Sequence, residues 1–126
     1  MSLKNPNFPS SVFFDTIQHA LDSSEVERSN AIKQGNAIFA FVLTNAAGKT
    51  DSWHIDLKET GKVGKGLGNN PTAIFLLSEK EFRDMVLNKV NTQDLFIAGK
   101  LKIKGDVVQV TKVNPIIKSS QRNSRL

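Results

Sequence analysis

The chain has 126 residues and a formal net charge of +5, with 39% hydrophobic and 23% charged residues, which is ordinary for one globular domain. It contains no cysteine, which excludes disulfides, thiolate nucleophiles and cysteine-based zinc sites. Its longest apolar run, Ala37 to Leu43, is far shorter than the roughly 20 residues of a membrane-spanning helix. We therefore expect a single domain that does not span a membrane.

The first half of the chain predicts two helices followed by a hairpin. Ser10 or Ser11 is placed to cap the first helix, and a second helix is predicted over 24–34, ending at Gly35. The apolar face of the first helix is expected to carry Phe13, Ile17 and Leu21. NAIFAFVLTN is apolar on both faces, which is typical of a central strand, and DSWHIDLK alternates between apolar and polar residues. These two segments predict an antiparallel pair joined by AAGKT.

The second half alternates short strands with short helices. After a glycine-rich stretch with a short edge strand, TAIFLL predicts a buried strand. Ser78 and Glu81 form a capping box for the next helix, and Asn91 is placed to cap a short helical turn. GKLKIKGD predicts the last strand, and Asp106 is placed to cap a closing helical segment. This order predicts an α+β fold, with the helices on one face of a mostly antiparallel sheet.

Two patterns resemble catalytic or phosphate-binding motifs and are rejected. Ser52, His54 and Asp56 share one face of a strand, where residues two apart are separated by roughly 6.5–7 Å, but a nucleophile and its base must approach to about 3 Å. The GKT at 48–50 lacks the P-loop glycine five residues earlier, where Leu43 stands, and a strand follows it. His54 and Asp56 supply too few ligands for a metal site. We therefore predict no enzyme activity, no catalytic residue, no metal and no cofactor.

The last predicted strand alternates lysines with apolar residues. A nucleic-acid surface would place aromatic residues among Lys100, Lys102 and Lys104, but the residues between them are Leu101 and Ile103. We therefore predict no nucleic-acid partner and assign the apolar residues to the face that meets the helices. That face is expected to comprise Phe39, Phe41, Leu43, Trp53, Ile55, Leu57, Phe75, Leu77, Leu101 and Ile103.

The opposite face of the sheet is expected to carry a second apolar stripe. Its members are Ile38, Ala40, Val42, Ile74 and Leu76. Such a stripe needs a cover. The N-terminal segment is one candidate for it, and a dimer partner or a membrane surface is the other.

Two blocks resemble the sterol carrier protein 2 family: GKTDSWHIDLKETGKVGKG, at 48–66, and DLFIAGKLKIKGD, at 94–106. Members of the family show a Trp followed by an apolar-Asp-apolar-Lys run, a glycine-rich stretch, and a Phe before GK(L/M)KIxG(N/D). The resemblance covers roughly residues 8–118, and the chain resembles a stand-alone version close to those of fungi rather than a domain fused to a larger enzyme. It implies a five-stranded sheet with helices on one face and a hydrophobic tunnel between the two layers.

The resemblance also implies a ligand and its contacts. Family members bind fatty acids, fatty acyl-CoA, sterols and phospholipids without covalent chemistry, and a basic surface can hold a CoA phosphate or an anionic membrane surface. The implied lipid-binding residues are Phe39, Phe41, Trp53, Phe75, Leu77, Met85, Val86, Gln93, Phe96, Leu101, Ile103, Val107, Val110 and Ile117. The chain departs from the family at DVVQVTKV, whose stiff valines at 107, 108 and 110 are expected to narrow or reshape the tunnel.

The chain ends in Ser124, Arg125 and Leu126, a variant of the peroxisomal SKL signal that an import receptor reads. We therefore predict a lipid-binding domain over 1–118, a mobile targeting tail over 119–126, and a location in the peroxisomal matrix. The alternative function is a protein-interaction or chaperone-like module that protects peroxisomal β-oxidation enzymes.

Overall fold

The computed structural model describes residues 4–113. Its helices are α1 (Val12–Ser23), α2 (Glu25–Gly35), α3 (Glu79–Val86) and α4 (Thr92–Ile97). Its strands are β1 (Ile38–Thr44), β2 (Thr50–Asp56), β3 (Lys62–Lys65), β4 (Ala73–Ser78) and β5 (Lys102–Gly105). Short 3₁₀ turns occupy Pro9–Ser11 and Val107–Gln109. The predicted site residue Ile117, the tail over 119–126 and the signal Ser124–Leu126 lie outside the described residues.

The five strands form one sheet in the order β3-β2-β1-β4-β5. Every neighbouring pair is antiparallel except β1 and β4, which run parallel with Phe39 opposite Ala73. β1 lies at the centre, as its apolar character on both faces predicted. The predicted α+β fold with a five-stranded, mostly antiparallel sheet is therefore confirmed.

Polar side chains cap four of the predicted helical segments, and the first of them is Ser24, whose hydroxyl accepts a bond from the Glu27 amide. The Ser78 hydroxyl accepts a bond from the Glu81 amide, as predicted for the cap, and donates to the Glu81 carboxylate instead of leaving that carboxylate to the Ser78 amide. Asn91 accepts from two amides of α4, and Asp106 accepts from the Val108 amide. The predicted cap of the first helix is wrong, because the Ser11 hydroxyl bonds instead to the backbone of Asn5.

The buried face of α1 and the C-terminal end of α2 each differ by one residue from the prediction. In α1 the fully buried aromatic residue is Phe14, while Phe13 is only half-buried. At the end of α2, Asn36 adopts the left-handed conformation expected of Gly35, with φ 46°. Gly35 is the last helical residue, and a Cβ there would lie 2.9 Å from the Leu57 Cβ. The glycine therefore lets the end of α2 approach the end of β2.

The N-terminal segment closes the helix side of the molecule. The Phe8 ring meets the Trp53 ring edge-on, with 5.7 Å between centroids. The Asn5 amide donates to the Asp51 carboxylate at 2.9 Å, and Lys65 also donates to it. Burial raises the pKa of Asp51, but the bonds from Lys65, Asn5 and the Ser52 amide outweigh this effect and hold the pKa below its usual range. The expectation that this segment covers the outer apolar stripe is wrong for the described residues, because it packs against the helix side.

The outer face of the sheet, defined here as the face away from the helices, carries the predicted stripe. Ala40 is buried, and the other four stripe residues are half-buried: Ile38, Val42, Ile74 and Leu76. The glycine-rich segment after β3 folds over the β2 end of this face, where the His54 Nδ1 lies 3.1 Å from the Gly66 carbonyl oxygen. None of the helices described within residues 4–113 has the length and apolar character needed to cross a membrane.

Candidate functional site

The helices cover the inner face of the sheet and enclose an apolar layer between themselves and the strands. Nine of the ten residues predicted for this face are buried, and Ile103 is half-buried. Ile103 lies directly opposite Phe75 in the register, so it shares the inner face with that buried ring. The prediction of which strand residues meet the helices is therefore confirmed.

Aromatic rings fill the part of this layer that lies over β1 and β2. The Phe14 ring stacks on Trp53 and on Phe82, each at 5.0 Å with an interplanar angle of 10°. It also meets the Phe41 ring at 5.8 Å, and Phe8 meets Trp53. We refer to these five rings as the aromatic cluster. Trp53 and Phe41 are thus packed against other rings, and Phe41 also stacks on Phe75 at 5.2 Å, while their contact with lipid stays a prediction.

The rest of the layer, over β4 and β5, is lined mainly by aliphatic side chains. We refer to it as the β4–β5 half. β4, β5 and the residue before β5 contribute Phe75, Leu77, Leu101 and Ile103, and the same hydrophobic core includes Met85, Val86, Val110 and Val113 from the helical segments. Phe39 lies at the boundary, with its ring 6.2 Å from that of Phe75.

The cover of the β4–β5 half is made of short pieces. α4 has six residues, the 3₁₀ turn before Val110 has three, and residues 110–113 add one further helical turn. α4 is attached through the Thr92 hydroxyl, 3.0 Å from the Met85 sulfur, and through the Leu95 carbonyl, which accepts from the Leu101 amide at 3.2 Å. Short elements with few buried contacts open at lower free energy than long helices. We therefore expect the cover of the β4–β5 half to open more easily than the cover formed by α1.

Three predicted site residues are not inside the layer. Gln93 is exposed, Phe96 is 39% exposed and Val107 is 50% exposed. In α4 the buried positions are Thr92 and Leu95, and residues one position further along a helix point about 100° away from that face. These three residues are therefore placed at the surface, which corrects their predicted position.

Of the three valines that depart from the family pattern, one is buried and two are exposed to solvent. Val110 is buried against the core, while Val107 and Val108 are half or more exposed. The expectation that all three valines narrow the tunnel is therefore wrong for Val107 and Val108.

Gln109, which was not among the predicted site residues, is only 5% exposed although its side chain is polar. Its amide nitrogen donates to the Asp106 carboxylate at 2.9 Å. Its amide oxygen has no hydrogen-bond partner among residues 4–113. The bonds from Gln109 and from the Val108 amide lower the pKa of Asp106, so this carboxylate is ionised at neutral pH.

His54 and Asp56, on the outer face of β2, bond to different groups and do not form a triad with Ser52. His54 meets the Gly66 carbonyl, whereas the Asp56 carboxylate accepts bonds from the Lys58 and Glu59 amides and the Thr60 hydroxyl. Burial raises the pKa of Asp56, but these bonds outweigh it and lower the pKa. Within residues 4–113, no three acidic or histidine side chains come together as a metal site requires.

Comparison with known proteins places this geometry in a family. Residues 14–118 match the model described as "SCP-2 sterol transfer family". A Yarrowia lipolytica protein named "Fatty acid-binding protein" is 43% identical, over 98% of this chain and 99% of that protein. The "Oleate-induced peroxisomal protein POX18" of Candida maltosa is 34% identical, over the whole of both chains.

Solved structures agree with these matches. The Yarrowia lipolytica structure named "Sterol Carrier Protein 2" superposes with a TM-score of 0.89 at 41% identity, covering 96% of this chain and 98% of that one. A sterol carrier protein domain of Helicoverpa armigera superposes with a TM-score of 0.73 at 27% identity, covering 95% and 94%. The prediction of a protein that is not an enzyme is confirmed by the Yarrowia relatives, whose names describe binding and carrier proteins.

Proposed function

The chain belongs to the SCP-2 sterol transfer family, and on that premise we propose that it binds fatty acids and fatty acyl-CoA in the β4–β5 half and transfers them without covalent chemistry. The observation that carries the proposal is the identity of 43%, over almost the whole chain, to a protein named as a fatty acid-binding protein. Within this site, the proposed lipid contacts are Phe39, Phe75, Leu77, Met85, Val86, Leu101, Ile103 and Val110.

The free energy of burial is sufficient for such a carrier. An acyl chain of ~16 carbons gains on the order of 12 kcal/mol when it leaves water, at about 0.8 kcal/mol per CH₂. Association costs of roughly 4–15 kcal/mol reduce this gain. At the lower end of these costs about 8 kcal/mol remains, which corresponds to binding in the micromolar range without a charged group inside the layer.

Lysines along β5 support a further part of the proposal. Lys100, Lys102 and Lys104 are exposed, and none of them forms an ion pair within residues 4–113. Their positive charge suits the phosphates of CoA or the surface of an anionic membrane. Because these lysines are in solvent, salt is expected to weaken both contacts.

The test is a titration with a fluorescent fatty acid, followed by displacement with palmitic acid, palmitoyl-CoA and cholesterol. We expect saturable binding and displacement by the first two competitors, while the cholesterol result ranks sterols against acyl chains. Raising the salt concentration should weaken the binding of palmitoyl-CoA more than the binding of palmitic acid, because CoA carries more negative charge. Absence of saturable binding by the folded protein would contradict the proposal and favour the protein-interaction module.

We also propose that the protein works in the peroxisomal matrix. The support is the C-terminal SRL together with the full-length likeness to a relative named as a peroxisomal protein. A fluorescent protein fused to the N-terminus should colocalise with a peroxisomal marker. The same fusion without Ser124–Leu126 should stay in the cytosol. Cytosolic fluorescence with the intact tail would refute this location.

A further inference from the structure

We propose that the amide oxygen of Gln109 accepts a hydrogen bond from a neutral donor on the polar end of the bound lipid, a hydroxyl or an amide N–H. This inference rests on the proposed function, because it assigns a polar contact to the same lipid site. It concerns a residue outside the set that the sequence predicted.

The orientation of the Gln109 amide follows from its neighbour. The amide nitrogen lies 2.9 Å from the Asp106 carboxylate, which as an ion can only accept hydrogen bonds. The opposite orientation would bring two acceptor oxygens together. The nitrogen therefore faces Asp106, and the oxygen is left without a partner among the described residues.

The position of Gln109 places its side chain on the inward side of the segment after β5. Residues 109, 110 and 113 are buried, whereas residues 107, 108 and 111 are exposed. Spacings of three and four residues put the buried positions on one helical face. Val110 and Val113 on that face belong to the hydrophobic core. Gln109 thus shares its face with side chains of the hydrophobic core, in the helical turn that follows β5.

A buried acceptor without a donor is unfavourable, and a ligand that supplies the donor relieves this cost. A hydroxyl group does so, as does the N–H of an amide such as those of the pantetheine arm of acyl-CoA. An ester offers no donor, and an ionised carboxylate offers only acceptors beside the negative charge of Asp106. Sites built around a hydrogen bond discriminate strongly against ligands that lack it. We expect a preference of about tenfold for donor-bearing lipids of equal chain length.

The test compares three lipids with the same C16 acyl or alkyl chain: hexadecan-1-ol, palmitamide and methyl palmitate. Each displaces the fluorescent fatty acid from the full-length protein. The alcohol and the amide, which carry a donor, should bind about tenfold more tightly than the ester. In Gln109→Met, a substitution of similar volume, this ratio should fall close to one.

Gln93→Met is the matched control, because Gln93 is exposed on α4. This control should keep the full preference for the alcohol and the amide over the ester. Gln109→Leu is a second variant without the amide oxygen, to be used if Gln109→Met does not fold, and it should lose the preference in the same way. Equal binding of all three lipids by the wild type would overturn the inference, and so would a preference that survives in both Gln109 variants. Failure of the folded wild type to bind even the fluorescent fatty acid would overturn the proposed function itself.

Discussion

Replacing Phe14 by alanine is expected to lower the free energy of unfolding by about 3–5 kcal/mol. Phe14 is fully buried and lies at the centre of the aromatic cluster, stacked between Trp53 and Phe82. Its removal deletes two stacked ring pairs and leaves a cavity between α1, α3 and the sheet. No neighbouring ring can fill this space without leaving its own contacts.

Urea unfolding of Phe14→Ala and Phe13→Ala measures this effect with adjacent residues of identical chemistry. Phe13 is only half-buried, so its loss should cost clearly less. Both variants should keep the slope of the free energy against urea, which would show that only stability has changed. Equal losses for the two variants would mean that Phe14 does not have the central place assigned to it.

Replacing Ile103 by aspartate is expected to weaken fatty acid binding by about a hundredfold or more. Ile103 faces the layer opposite Phe75, and its half-buried position lets the folded protein tolerate a polar residue there. A bound acyl chain would cover the new carboxylate and strip its water without offering it a hydrogen bond. The charge would also repel the carboxylate of the fatty acid.

Ile74→Asp is the matched control for this experiment. Ile74 is also half-buried, but it lies on the outer face, opposite Lys104 in the register. Its replacement should leave fatty acid affinity within about threefold of the wild type. Ile103→Trp, which fills space without adding charge, should weaken binding as well. If the two aspartate variants lose affinity equally, the ligand does not lie in the β4–β5 half.

Strand positions and faces were largely predictable from the sequence. β1 is apolar on both faces and β2 alternates, so burial has the same periodicity as the sequence. The parallel pairing of β1 with β4 was not predictable from pattern, because an alternating strand looks the same in either direction. Phe13 and Phe14 both fit the spacing to Ile17, so the pattern alone does not decide which of them faces inward.

The site was less predictable than the fold. Apolar residues on strands were assigned correctly to the inner face, because a sheet has only two faces. Gln93, Phe96 and Val107 were misplaced, since they lie on or before short helical turns whose rotation depends on tertiary contacts. Gln109 was missed because a polar residue is normally expected at the surface. The sequence did offer one indication that Gln109 is buried, because it lies between the helix cap Asp106 and the buried Val110.

The parallel contact between β1 and β4 has a consequence for how the chain folds. The antiparallel partners β1 and β2 are joined by the short turn over 45–49, so their contact closes a small loop. The central contact with β4 must instead close the whole excursion over 45–72. Loop-closure entropy makes this about 1.5 kcal/mol more costly in the flexible-chain limit. The hairpin can therefore form early, while the pair that completes the middle of the sheet must wait for distant residues to meet.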